Sequence, residues 1–118
     1  MDDTITLHDI HAQCILGCYD DERRQKRDVS ISVTLHTDIR QAATSDRLDD
    51  AINYDALVQN LLDATERSSF QLIEALAEHL AQLCLRQTPA HKVILSVTKP
   101  NPRPLLAAAT VTIERTRN

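Results

Sequence analysis

Residues 28–36, DVSISVTLH, alternate without a break. Val29, Ile31, Val33 and Leu35 fall on one side, and Ser30, Ser32, Thr34 and His36 on the other. An extended strand sends successive side chains to opposite faces, so this segment belongs in a sheet with one apolar and one polar face. The alternation recurs at Ile5 and Leu7 within 4–16, at Val93, Leu95 and Val97 within 92–98, and at Val111 and Ile113 within 107–115. Between the second and third strands the period lengthens. Tyr54, Leu57, Val58, Leu61 and Leu62 sit at helical spacing within 53–67, and Leu72, Ile73, Leu76, Ala77, Leu80, Leu83 and Cys84 make a second stripe from about residue 70. Asn53 suits an N-cap, Ser68 with Gln71 fits a capping box, and Pro89 ends the second helix. The charged stretch 19–27 reads as a loop, and KPNPRP at 99–104 stops the third strand. The order is ββααββ. The fold class is α+β, an antiparallel sheet with two helices on one face. Such a sheet leaves edges exposed, and edges invite pairing with another subunit.

The chain has 118 residues, enough for one domain spanning 1–118. A domain of this size owns little private pocket unless a neighbour completes it. Apolar residues make up 42% and charged residues 25%, as in a soluble globular protein. The net charge of −4 and the shortness of the basic run ERRQKR argue against nucleic acid as a partner. No apolar run spans a membrane, and the acidic start MDDTITLHDI lacks a secretory signal. Cys14, Cys18 and Cys84 are spaced unlike a structural zinc site, so they read as reduced, partly buried thiols of a cytoplasmic protein. Gly17 is the only glycine. A Gly-rich phosphate loop is thereby excluded, and with it a nucleotide cofactor gripped in the usual way.

Candidate chemistry is sparse. His8 and His11, three apart in a strand, point to opposite faces and cannot chelate together. His79 lacks a helical partner at i+4, and His36 and His91 stand alone. Lys99 precedes Pro100, which pushes it toward extended geometry. Facing a pocket, such a lysine serves as an acid or base. On spacing alone, a surface lysine ending an edge strand suffices. Glu74 lies on the flank of the second helix near its start, where a carboxylate gains from the helix dipole. Tyr54 reads as a core aromatic and Glu22 as a solvated loop carboxylate. Singly, each of these four residues has a bland explanation.

Together they do not. GCYDDER (17–23), SDRLDDAINYDAL (45–57), FQLIEALAEHLA (70–81) and VTKPNP (97–102) occur in the order and at the spacing of the dihydroneopterin aldolase family, which the chain resembles from about residue 4 to residue 115. A close relative is the epimerase of dihydroneopterin triphosphate. The family's loop glutamate falls on Glu22, its tyrosine on Tyr54, its leucine-isoleucine-glutamate on Leu72, Ile73 and Glu74, and its lysine-proline on Lys99 and Pro100. Arg27 stands where many members have glutamine, and Ala51 where threonine is frequent. DAINY and DVSISVTLH are similar to the epimerase branch, and KPNP to the aldolase.

The resemblance implies the tunnelling-type fold, in which the sheets of several subunits join into a barrel with helices outside. It implies a homo-octamer of two stacked four-membered rings, with sites between subunits. It implies retro-aldol cleavage of 7,8-dihydroneopterin, with 2′-epimerisation as a side activity and the triphosphate epimerase as the alternative. A pterin-binding oligomer without turnover is a further alternative. Lys99 and Tyr54 would be catalytic. Glu22, Tyr54, Leu72, Ile73 and Glu74 would hold the pterin. No cofactor, metal or Schiff base is implied. A triphosphate would call for positive charge at the pocket mouth, and Arg23, Arg24 and Arg103 are its evident supply.

Overall fold

The computed structural model describes residues 2–117. Four strands form one antiparallel sheet in chain order: β1 (Asp3–Cys14), β2 (Arg27–Thr37), β3 (Lys92–Arg103) and β4 (Leu106–Thr116). The registers Ile31↔Val97, Val33↔Leu95 and Leu35↔Val93 set apolar rows side by side. That row faces a core completed by two long helices, α3 (Tyr54–Glu66) and α4 (Ile73–Gln87). Leu57, Leu61, Leu76, Leu80 and Cys84 are all buried there. Fully burying one such leucine stabilises by about 1.5–3 kcal/mol, so this face decides which way the sheet packs. The opposite face keeps its hydroxyls. Thr6 meets Thr34 at 3.2 Å, and Thr98 meets Thr110 at 2.8 Å.

Several local expectations change. Between Leu7 and Ile10 the β1–β2 register slips by one residue, with Asp9 at φ 54°. The extra residue resets the parity of the strand, so His8 and His11 share the exposed side instead of opposing one another. Among the described residues, no group of three or more His, Cys, Asp or Glu is arranged to hold a metal ion. The stretch 19–27 is not all loop, since Asp20–Arg23 forms a single turn, α1. Two further short pieces precede α3: α2 (Arg40–Ser45) and a 3-10 turn, Leu48–Asp50. Neither has buried residues, so neither left a hydrophobic period to read.

Asn53 caps α3 as expected, accepting from the Ala56 amide at 3.2 Å. The capping box at Ser68 and Gln71 does not form. Ser68 Oγ instead donates to the Thr65 carbonyl at 2.7 Å, closing α3, and α4 starts at Ile73 with Leu72 as its N-cap. Tyr54 is not a core aromatic: it is 53% exposed. The third strand runs through its prolines to Arg103, with a register slip between Pro100 and Arg103 where the missing amides would otherwise interrupt the ladder. Among the described residues, no helix is long and apolar enough to cross a membrane. The edges of the sheet are β1 and β4, and Leu106, Ala107 and Ala108 on β4 are exposed.

Candidate functional site

Lys99 continues the row Val93, Leu95, Val97 on an interior strand, and its side chain is only 7% exposed. An ammonium at that depth needs partners. It has two: Lys99 Nζ donates to the Leu16 carbonyl at 2.8 Å and to Glu22 Oε2. Glu22 is buried as well, and its Oε1 accepts from the Tyr19 amide at 3.3 Å. Burial opposes ionisation of Glu22. The Lys99 hydrogen bond, the Tyr19 amide and the charges of Lys99 and Arg103 outweigh it and hold the carboxyl below its usual range. The surface-lysine and solvated-glutamate readings are thus both overturned. The two residues form one buried ion pair.

The single glycine explains how the pair fits. Gly17 has φ 143°, a region that side chains disfavour, and a Cβ built there would lie 2.4 Å from Glu22 Cδ and 2.7 Å from Glu22 Cβ. The chain must cross close above the carboxylate, and only a residue without a side chain allows that approach.

Arg23, the residue after Glu22, ties this turn to the segment before α4. Its Nη1 donates to the carbonyls of Gly17 at 3.2 Å and Phe70 at 3.1 Å, and its Nη2 to that of Ser69 at 2.9 Å. The Gly17 amide donates to the Phe70 carbonyl at 3.3 Å, and the Cys18 thiol to that of Gln71 at 3.6 Å. So Leu72, Ile73 and Glu74 follow directly from a segment fastened to the Lys99–Glu22 pair. Leu72 is 51% exposed and Glu74 is exposed in the first turn of α4. The first amides of a helix have no acceptor within it, so this corner presents backbone donors beside a carboxylate. Sequence reading assigned Arg23 to the pocket mouth and missed this clamp. Its guanidinium is tied to three backbone carbonyls.

Tyr54 stands elsewhere. It opens α3, which runs back along α4, and Asn60 Nδ2 in mid-α3 donates to Gln87 Oε1 at the far end of α4 at 2.7 Å. Glu74 is therefore on the order of 20 Å from Tyr54 along the helix axis, at ~1.5 Å per residue. Among the described residues Tyr54 makes no side-chain hydrogen bond to Glu22, Glu74 or Lys99. One subunit brings five of the six expected positions to one end and leaves the sixth at the other.

The chain is similar to several known proteins over nearly its whole length. Folic acid synthesis protein FOL1 of Dictyostelium discoideum is 32% identical over 114 residues, 97% of this chain, which spans only 17% of that longer protein's length. Dihydroneopterin aldolase of Streptomyces coelicolor is 30% identical over 118 residues, covering 98% of both chains. The crystal structure of Escherichia coli dihydroneopterin aldolase in complex with neopterin superposes with a TM-score of 0.91 at 26% identity, over 96% of this chain and 98% of that one. The family model described as FolB, dihydroneopterin aldolase, matches residues 5–116, nearly the whole of the described fold, and the chain belongs to the dihydroneopterin aldolase family.

Proposed function

We propose that the protein cleaves 7,8-dihydroneopterin by a retro-aldol reaction, releasing 6-hydroxymethyl-7,8-dihydropterin and glycolaldehyde. The buried Lys99–Glu22 pair, fastened to the segment that leads into Glu74, carries this reading. A pterin edge offers a ring N–H and an amino group side by side, and the Glu74 carboxylate accepts both, each bond worth about 1.5–3 kcal/mol. The neighbouring ring carbonyl takes the amides at Ile73 and Glu74, with Leu72 against the ring. Lys99 exchanges protons with the 2′-hydroxyl through a water, while Glu22 holds Lys99 in place and orients that water. The pterin ring takes up the electron pair of the breaking C1′–C2′ bond, so the cleavage requires neither a metal nor an imine to lysine. Tyr54 of a neighbouring subunit returns a proton to the enol-like product. Reclosing the bond on the other face gives the 2′-epimer.

The separation of Tyr54 from Glu74 supports a homo-oligomer with shared sites. The open edges β1 and β4 support closure of several sheets into a barrel, with the hydroxyl face lining it, in the octamer of two rings that the family's architecture suggests. A cytoplasmic location fits the free cysteines. The test is chromatography of the products formed from 7,8-dihydroneopterin. Glycolaldehyde with 6-hydroxymethyl-7,8-dihydropterin is the expected result. Formation of the epimer alone would make the protein an isomerase, and ligand binding without turnover would make it a pterin-binding protein.

A further inference from the structure

Lys99 and Glu74 stand on different elements, β3 and α4. Two successive carbonyls begin the link between them. The Leu16 carbonyl accepts from Lys99 Nζ at 2.8 Å, and the next one, that of Gly17, accepts from Arg23 Nη1 at 3.2 Å. The same Nη1 donates to the Phe70 carbonyl at 3.1 Å. One nitrogen thus holds a carbonyl on each side, so the gap between the two segments can be no wider than two hydrogen bonds end to end. Nη2 adds the Ser69 carbonyl at 2.9 Å. Arg23 also follows Glu22 directly in the chain, and Glu22 is the ion-pair partner of Lys99.

Beyond this clamp the link stays short. Residues 68–72 form neither helix nor strand, and α4 begins at Ile73. The Phe70 ring packs on His79 of α4, with 5.5 Å between ring centres. Phe70 is therefore fastened by its carbonyl to Arg23 and by its side chain to the helix that carries Glu74. Two neutral hydrogen bonds also join these segments, from the Gly17 amide to the Phe70 carbonyl at 3.3 Å and from the Cys18 thiol to the Gln71 carbonyl at 3.6 Å. Charge-assisted bonds such as those of Arg23 are about twice as strong as neutral ones. Among the described residues no carboxylate pairs with Arg23. Its donors are directed at the two segments whose spacing sets the distance from the ammonium to the pterin-holding corner.

We infer, building on the pterin reading above, that Arg23 is a positioning residue: it fixes the Glu74 corner against Lys99, so that a bound pterin presents its side chain to the ammonium. The test compares turnover of 7,8-dihydroneopterin with equilibrium binding of 6-hydroxymethyl-7,8-dihydropterin in the wild type and in Arg23→Ala. A misplacement of about 1 Å costs about a hundredfold in rate, so kcat should fall about 10–100-fold. Product affinity should change by less than about threefold, because Glu74 and the amides beside it belong to α4 itself. Millimolar guanidinium should restore part of the turnover of Arg23→Ala, and ammonium at the same ionic strength should not. Arg23→Lys keeps the charge but loses the fork, so it should fold and show the same split between kcat and affinity even if Arg23→Ala does not fold. A kcat within about twofold of wild type in folded Arg23→Lys would overturn the positioning role and make Arg23 a brace for the fold. Product affinity lost in step with kcat, or equal rescue by ammonium, would overturn it as well. Each of these results leaves the pterin reading standing. Absence of turnover in the wild type would overturn that reading and the positioning role together.

Discussion

The two ends of the helical layer are built on opposite principles. At the end holding Lys99, that lysine and Glu22 are buried and paired, and the backbone is clamped by Arg23. At the other end Tyr54 is held only by the first turn of α3 and stands half exposed. A buried pair carries its own order, because removing one partner strands the other in a poor solvent. An exposed tyrosine is ordered by whatever covers it. Under the function proposed above, one subunit supplies a finished half-site and an unfinished one, and the unfinished half serves its neighbour's chemistry.

The sharpest way to break this comparison is at Lys99. Lys99→Ala should lower turnover about 10²–10⁴-fold, the range of a proton-transfer group, while pterin affinity changes far less. Near-normal turnover with weak binding in single-turnover and equilibrium assays would assign Lys99 to holding the ligand.

Gly17→Ala tests the same end through its shape. The new methyl collides with the Glu22 side chain, including its Cβ, so rotation of the carboxylate alone gives no relief. Displacing Glu22 from Lys99 should cost about 3–5 kcal/mol in urea denaturation, as for a broken buried pair. A wild-type midpoint would show that the crossing has slack.

Acid is a milder probe. The carboxyl of Glu22 is held below its usual range, so its pairing stabilises the fold above the unfolded-state value, about 4.3, and that contribution is lost as pH falls through the lower folded value. Stability measured from pH 6 downward should fall more steeply in the wild type than in Glu22→Gln. Parallel curves would mean that the pair contributes nothing in solution.

The smallest expected signal addresses the unfinished end. Tyr54→Ala and Glu74→Ala should each be inactive, the second through lost pterin binding with the fold intact. Unfolded together and refolded as confirmed mixed oligomers, they should recover about one quarter of wild-type activity, since random assembly pairs an intact Tyr54 with an intact Glu74 in that fraction of shared sites. No recovery would place both residues in one subunit's pocket.

The strands and two long helices were legible because each writes a period into the sequence. Asn53 and the apolar rows of β2 and β3 needed nothing more. Lys99 was legible in principle, since it keeps the parity of Val93, Leu95 and Val97, but a lysine before proline invites a surface reading. Glu22 and Arg23 carried no local signal. Most of their partners, Lys99 and the carbonyls of Ser69 and Phe70, are remote in sequence. The slip at Asp9 was invisible because one inserted residue changes the faces without changing the composition.

With a single glycine, the chain makes its other left-handed bends at Asp9, Asp46, Asn101 and Leu105. Three of these are Asp or Asn, whose short polar side chains accept that geometry, whereas leucine pays about 1 kcal/mol or more for it. Leu105 sits fully exposed at the hairpin tip, where that penalty is offset by no packing. In terms of mutational drift, position 105 is free to move toward glycine and gain, whereas position 17 cannot move away from it without closing the space that Glu22 occupies.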